Sequence, residues 1–181
     1  MLGIFLDTET TGLNPFRHHV LEIAIRILSL KSLKELGSYC SILSLEKTLW
    51  EESDPESLAV NGFTWEMVQT GKSLAKIKDD ILALFKKHNI RRGTSVFICQ
   101  NPSFDRPFFS HIIPVNTQES LRWPYHWLDL ASMHWAIKGS GPLNKDGIAA
   151  AYGLPPETRP HRAMNGVDHL IQCYRKVLQA E

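Results

Sequence analysis

FLDTETTGL runs from Phe5 to Leu13, near the start of the chain. An apolar run (Leu2, Ile4, Phe5, Leu6) leads into two acids, Asp7 and Glu9, and breaks at Gly12. A run apolar on both sides of the alternation reads as a central strand covered on both faces. Side chains two apart on a strand share a face, with Cα atoms roughly 6.5 to 7 Å apart. Asp7 and Glu9 therefore point the same way at the rim of a core. Two carboxylates so placed repel, and one stays protonated unless a cation sits between them. A hard divalent ion such as Mg²⁺ or Mn²⁺ takes oxygen ligands of this kind. The plainer alternative is that both acids extend into solvent at a strand end, and D-x-E alone does not overturn it.

Moving outward, Leu21, Ile23, Ile25 and Ile27 alternate with Glu22, Ala24 and Arg26, which predicts a half-buried strand. A third strand is expected over 38–45, after a turn at Gly37, so that an antiparallel meander begins with the acidic strand. His18 and His19 are adjacent and would face opposite sides of a strand, so a loop is a better reading than a metal site. Asp54-Pro55 opens a short helix ending near Gly62, and Thr64 caps another over 65–69. Ser73 precedes Leu74, Ile77, Ile81, Leu84 and Phe85, an apolar stripe at helical spacing. Lys86, Lys87, Arg91 and Arg92 read as a solvated helix end rather than a phosphate patch.

SVFICQ (95–100) is a buried strand ended by Asn101-Pro102, and a helix starting near Ser103 carries Phe104, Asp105, Phe108, Phe109 and Ile112. Pro107 fits only its first turn. Trp127-Leu128 is a short strand and Asp129 a helix cap. Trp123, Trp127 and Trp135 read as packing before they read as base-stacking surfaces. A helix over 145–152 follows. The last and clearest one carries Met164, Val167, Leu170, Ile171, Tyr174, Val177 and Leu178, with Pro160-His161-Arg162 just before it. Strands first, then strands alternating with helices, make a mixed-sheet α/β domain.

The totals bound this picture. The 181 residues suit one domain, and 43% hydrophobic with 22% charged is ordinary globular composition. Net charge is +1, so any nucleic-acid binding rests on local patches or ions rather than bulk charge. Cys40, Cys99 and Cys173 are widely spaced in apolar surroundings and are expected as buried free thiols, which suits a cytoplasmic protein. No apolar stretch is long enough for a signal peptide or membrane span.

D-x-E-T-T-G on the first strand, N-P-S-F-D at a later strand-to-helix turn and H-R-A at the mouth of the last helix come in a fixed order. FLDTETTGL, NPSFDRPFF and PHRA together resemble the blocks of the DEDDh 3′–5′ exonuclease family, which includes the proofreading epsilon subunit of DNA polymerase III and RNase T. NGFTWEMV and AAAYGL resemble its connecting segments, so the resemblance runs from Gly3 to about Val177. It implies a ribonuclease H-like α/β fold, a five-stranded mixed sheet flanked by helices, in a single exonuclease domain over 1–181.

It also implies hydrolysis at single-stranded DNA or RNA 3′ ends with release of mononucleotides, and association with a DNA polymerase in some members. Two Mg²⁺ or Mn²⁺ ions would bind the attacking and leaving oxygens. By resemblance, Asp7 would bridge both ions, Glu9 would complete the first, and Asp105 would hold the second, partly through water. His161 would take the proton from the attacking water. Thr10, Thr11, Gly12 and Leu13 would present backbone and an apolar wedge to the terminal nucleotide, with Asn101 and Phe104 at the pocket rim.

The sequence departs from the pattern once. The family's last acid lies five residues after the histidine, and here that position is Gly166. Asp168 is two residues late, about 200° around a helix. Three outcomes are open: a late or shifted helix start recruits Asp168 as a metal ligand, another group or water replaces the ligand, or the protein binds nucleic-acid ends without cutting them.

Overall fold

Ile4, Phe5 and Leu6 are all fully buried, which requires cover on both faces of the strand that carries them. The computed structural model describes residues 1–180 and supplies that cover. Strands β1 (Leu2–Thr10), β2 (Val20–Ser29) and β3 (Glu35–Ile42) form the expected antiparallel meander. Helices α1 (Lys47–Glu51), α2 (Pro55–Asn61), α3 (Trp65–Val68) and α4 (Leu74–Lys87) lead to β4 (Ser95–Cys99). Then come α5 (Pro102–Ile112), α6 (Val115–Ser120), β5 (Trp127–Asp129), α7 (Leu130–Lys138), α8 (Lys145–Ala151) and α9 (Ala163–Leu178). The five-stranded sheet runs β3-β2-β1-β4-β5, with β4 parallel to both β1 and β5.

Alternation along β1 divides its side chains between two cores. Ile4 and Leu6 pack with Phe97, with Ile77, Ile81 and Phe85 of α4, and with Phe108 and Phe109 of α5. Phe5 packs on the other face with Ile98 and with Val167, Leu170 and Tyr174 of α9. Burying a side chain of this size contributes about 1.5–3 kcal/mol, so the two apolar layers hold β1 from both sides.

Several expectations shift. β3 begins and ends earlier than 38–45: it pairs from Glu35, and Leu43 forms an isolated bridge with Lys72 instead. α1 buries no side chain, and neither it nor α6 has a side-chain cap bond, so neither carries a pattern to read. α5 starts at Pro102, which leaves Pro107 inside the helix without an N–H for the Ser103 carbonyl. Cys99 and Cys173 are buried, but Cys40 on the edge strand β3 is exposed. Trp123 is buried and Trp127 stacks on Phe97 at 4.0 Å, whereas Trp135 is half exposed. Arg92 pairs with Glu119 across 2.8 Å, as suits a solvated helix end.

Candidate active site

β4 accompanies β1 only as far as the pair Phe5–Ile98, while β2 stays paired along the whole strand. From Leu6 onward one edge of β1 is open, beyond the carboxyl end of β4, where α/β sheets place their ligand crevices. A cleft of about 510 Å³ occupies the place. Its floor carries Asp7, Thr8, Glu9 and Thr10, and its walls carry Leu13, Phe104, Asp105, Lys145, Glu157 and His161.

Each acid arrives from a different direction. Asp7 and Glu9 lie on the α9 side of β1, and Thr8 between them faces α5. The Thr8 hydroxyl donates to Asp105 Oδ1 at 2.8 Å, which anchors the α5 acid against the strand. Asp105 is thus buried and held at the open edge of β1 by α5. His161 stands in the loop before α9, where its backbone N–H donates to the Val60 carbonyl at 3.1 Å. The residue lines the cleft, and its Nε2 is buried with no protein partner.

α9 itself is capped from afar. Arg162 makes no side-chain cap, and the Ala163 N–H donates instead to Glu22 Oε2 of β2 at 2.7 Å. A carboxylate at a helix N-terminus is favourable by charge as well as by hydrogen bonding. Glu22 of β2 lies directly opposite Glu9 in the sheet, so the strand paired with the acid-bearing β1 fixes the helix that follows His161.

The electrostatics are lopsided. Asp7, Glu9, Asp54, Glu56, Asp105, Asp146 and Glu157 all line the cleft, against Lys145 as the lysine among the described lining residues. Burial, then the charge of Asp7, pushes Glu9 up to about 8. Burial also raises Asp105, with Asp7 adding to it. Burial raises Asp7 even though Lys145 pulls the other way. For Lys145, burial favours the neutral amine, but Asp7 and Glu157 prevail and keep it charged above the ordinary lysine range.

Buried, mutually repelling oxygen donors are what a hard divalent cation relieves, so the donor chemistry fits Mg²⁺ or Mn²⁺. The arrangement is nonetheless not a closed cage. Among the described residues, no three His, Cys, Asp or Glu side chains are gathered tightly enough to hold an ion as they stand. The Lys145 ammonium holds Asp7 at 3.1 Å and Glu157 at 3.0 Å, and Thr8 holds Asp105.

Other expected site residues lie elsewhere. Asp168 is turned away from the cleft and forms a forked pair with Arg26 of β2, Nε to Oδ1 at 2.5 Å and an NH2 contact at 2.9 Å. The Gly166 N–H bonds the Arg162 carbonyl at 2.9 Å, so α9 is regular from its first turn and no register shift brings Asp168 round. Recruitment of Asp168 as a metal ligand is thereby corrected.

Thr11 and Gly12 shape the turn rather than line the cleft. Thr11 Oγ1 accepts from the His19 N–H, its carbonyl accepts from the Asp54 N–H, and a β-carbon at Gly12 would sit 2.2 Å from the His18 ring. Their neighbour Leu13 does reach the cleft, 72% exposed. Asn101 adopts a left-handed φ of 59°, bonds Ser103 with its side chain and lies outside the lining, where Gln100 stands instead. Gln100 is held by a 2.7 Å bond to the Leu143 carbonyl.

Sequence reasoning passed over Gln100, Lys145 and Glu157. The missing acid at 166 was the available signal, since a gap among buried carboxylates invites a search for a compensating charge.

A family model described as an exonuclease of the RNase T type matches residues 4–173. The chain belongs to the RNase T exonuclease family. DNA polymerase III of the PolC type from Thermotoga petrophila and from Thermotoga maritima are each 22% identical to this exonuclease-family chain over 177 residues. The match covers 97% of the chain but only 12% of each polymerase. E. coli exonuclease I in complex with a dT13 oligonucleotide superposes with a TM-score of 0.77 at 17% identity, over 98% of this chain and 41% of that one. The nuclease domain of 3′hExo, a DEDDh family member bound to rAMP, gives 0.76 at 15% identity, over 98% and 92%. These likenesses fix the fold as the ribonuclease H-like α/β type.

Proposed function

We propose that this chain is a 3′–5′ exonuclease that hydrolyses single-stranded DNA or RNA from the 3′ end in the presence of Mg²⁺ or Mn²⁺. The observation that carries the reading is the convergence of Asp7, Glu9, Asp105 and His161 on one cleft from β1, α5 and the loop before α9. Oxygen donors of Asp7, Glu9 and Asp105 would hold a divalent ion, which supplies positive charge to the reacting phosphate and the leaving oxygen. His161, a cleft-lining residue whose Nε2 has no protein partner, accepts the proton of the attacking water. The water oxygen bonds to phosphorus, the bond to the 3′ oxygen breaks, and a nucleoside 5′-monophosphate leaves. Leu13 and Phe104 offer apolar contact to the terminal base. Net acidity of the cleft bars a bare polyanion, so binding itself requires a cation.

Association with a DNA polymerase is supported by the PolC-type relatives, within which a region like this one is a small part. The test is release of mononucleotides from 3′ ends of single-stranded DNA and RNA with Mg²⁺ and with Mn²⁺, against a chelator control. No release under any of these conditions overturns the catalytic reading. A second reading, end binding without cleavage, draws on the lysine lodged among the acids. It predicts retention of 3′-ended oligonucleotides with no shortening.

A further inference from the structure

Gly166 lies in the first turn of α9, directly against Asp7. A β-carbon placed there would be 2.2 Å from Asp7 Oδ2, 2.7 Å from its Cγ and 3.0 Å from the Lys145 ammonium. No side chain fits at 166 while Asp7 and Lys145 stand as they do. The ammonium lies 3.1 Å from Asp7 Oδ1, 3.0 Å from Glu157 Oε2 and 3.5 Å from the Gly166 carbonyl. All three side chains are largely sequestered, at 14% for Lys145, 13% for Asp7 and 3% for Glu157. The other Glu157 oxygen, Oε1, is buried without a partner.

Both members of the pair are held from elsewhere. Asn144 caps α8 through the Gly147 N–H at 2.8 Å, which sets Lys145 as the first helical residue. Asp146 Oδ1 accepts the Glu157 backbone N–H at 2.8 Å. His169 of α9 meets the Pro155 carbonyl at 2.9 Å and fixes the same loop to the helix that bears Gly166. Lys145 and Glu157 are therefore a built pair rather than two mobile chains that happen to meet.

We propose that Lys145 is a resident cation. Its ammonium takes the place of the ion that an acid at 166 would help to hold, Glu157 supplies the balancing carboxylate, and the cleft takes one exchangeable divalent ion, on the Asp7–Asp105 side, instead of two. The inference rests on the nuclease reading of this cleft and deepens it. An ammonium has three donors and no acceptor capacity. Two of them are committed to Asp7 and Glu157, and the third is directed at the Gly166 carbonyl at 3.5 Å. Glycine is required at 166 because any other residue would contest the volume that Asp7 and the ammonium share.

Counting Mn²⁺ bound to the full chain by calorimetry and by electron paramagnetic resonance tests this apart from activity. The wild-type protein is expected to bind one Mn²⁺ per chain. Lys145→Met, which leaves Asp7 and Glu157 uncompensated, is expected to bind two. Glu157→Gln is expected to keep the single ion with its affinity within about threefold, because Glu157 faces the ammonium. Two ions in the wild-type protein, or none, overturn the proposal. So does a tenfold or greater loss of Mn²⁺ affinity in Glu157→Gln, which would make Glu157 a metal ligand and Lys145 a displaced one. The wild-type count decides the matter even if Lys145→Met fails to fold. One bound ion without hydrolysis upholds the count and sinks the nuclease reading, whereas hydrolysis with two ions does the reverse.

Discussion

His161 lines the cleft with its Nε2 buried and unpartnered, and its backbone is tied to Val60 independently of the ring. Removing the ring should therefore leave the fold and the carboxylates in place. His161→Ala is expected to lower hydrolysis by about 10²–10⁴-fold, the usual worth of a positioned general base, with Mn²⁺ affinity within about twofold of wild type; rate assays and metal titration together check it. Cys40 is the opposite kind of residue, exposed on the edge strand yet with a disfavoured thiolate. Partial desolvation of the thiol, then the Glu22 carboxylate at 3.6 Å, pushes it up to about 12 from 9.0. Only the thiolate alkylates, so at pH 8 roughly a thousandfold less of it is present than for an ordinary thiol. Alkylation followed by mass spectrometry should show Cys40 slow at pH 8, accelerating about tenfold per pH unit until near 12. Rapid modification at pH 8 would contradict that environment.

Helix α9 carries the departure from the family pattern. A glycine in a helix costs about 0.5–1 kcal/mol relative to alanine, so Gly166→Ala would stabilise an isolated α9. In the folded protein the added carbon lands 2.2 Å from the Asp7 carboxylate, which Lys145 already holds. The clash should prevail. We expect Gly166→Ala to be destabilised by about 1–3 kcal/mol, as for other overpacked buried sites, and to bind Mn²⁺ at least tenfold more weakly. Denaturant midpoints and metal titration measure the two effects separately. At the helix level the reading of sequence was strong where apolar spacing was long, as in α4 and α9, and blind at α1 and α6. Those single turns bury little and lack side-chain caps, so nothing in the sequence marks them.

Across the molecule, two apolar layers clamp β1 and force its carboxylates to stay buried together. That has a cost that depends on pH. With divalent ions stripped by a chelator, Glu9 is pushed up to about 8 in the folded chain by burial and then by Asp7, against 4.5 when unfolded. Between those values the folded state holds a proton that the unfolded chain has lost, so stability falls as pH rises from about 4.5 to about 8. Thermal unfolding in chelator should show a lower Tm at pH 8 than at pH 6, and Glu9→Gln should flatten that slope. Saturating Mn²⁺ should raise Tm at pH 8, by about 2.7 kcal/mol of stability at a hundred times Kd. A metal-free protein equally stable at both pH values would contradict the crowding of the cleft.

Local pattern alone determined the meander and the acidic strand between two apolar layers, because alternation and helical spacing are properties of neighbouring residues. Resemblance of short blocks to a known family picked out the ordered set Asp7, Glu9, Asp105 and His161. It also exposed the gap at Gly166. How that gap is filled depends on packing between distant elements. The regular twist of α9 sends Asp168 to Arg26, and packing of α8 and its following loop against α9 carries Lys145 to Asp7, 138 residues earlier in the chain. A contact of that range is set by how the layers pack, and no spacing along the chain records it.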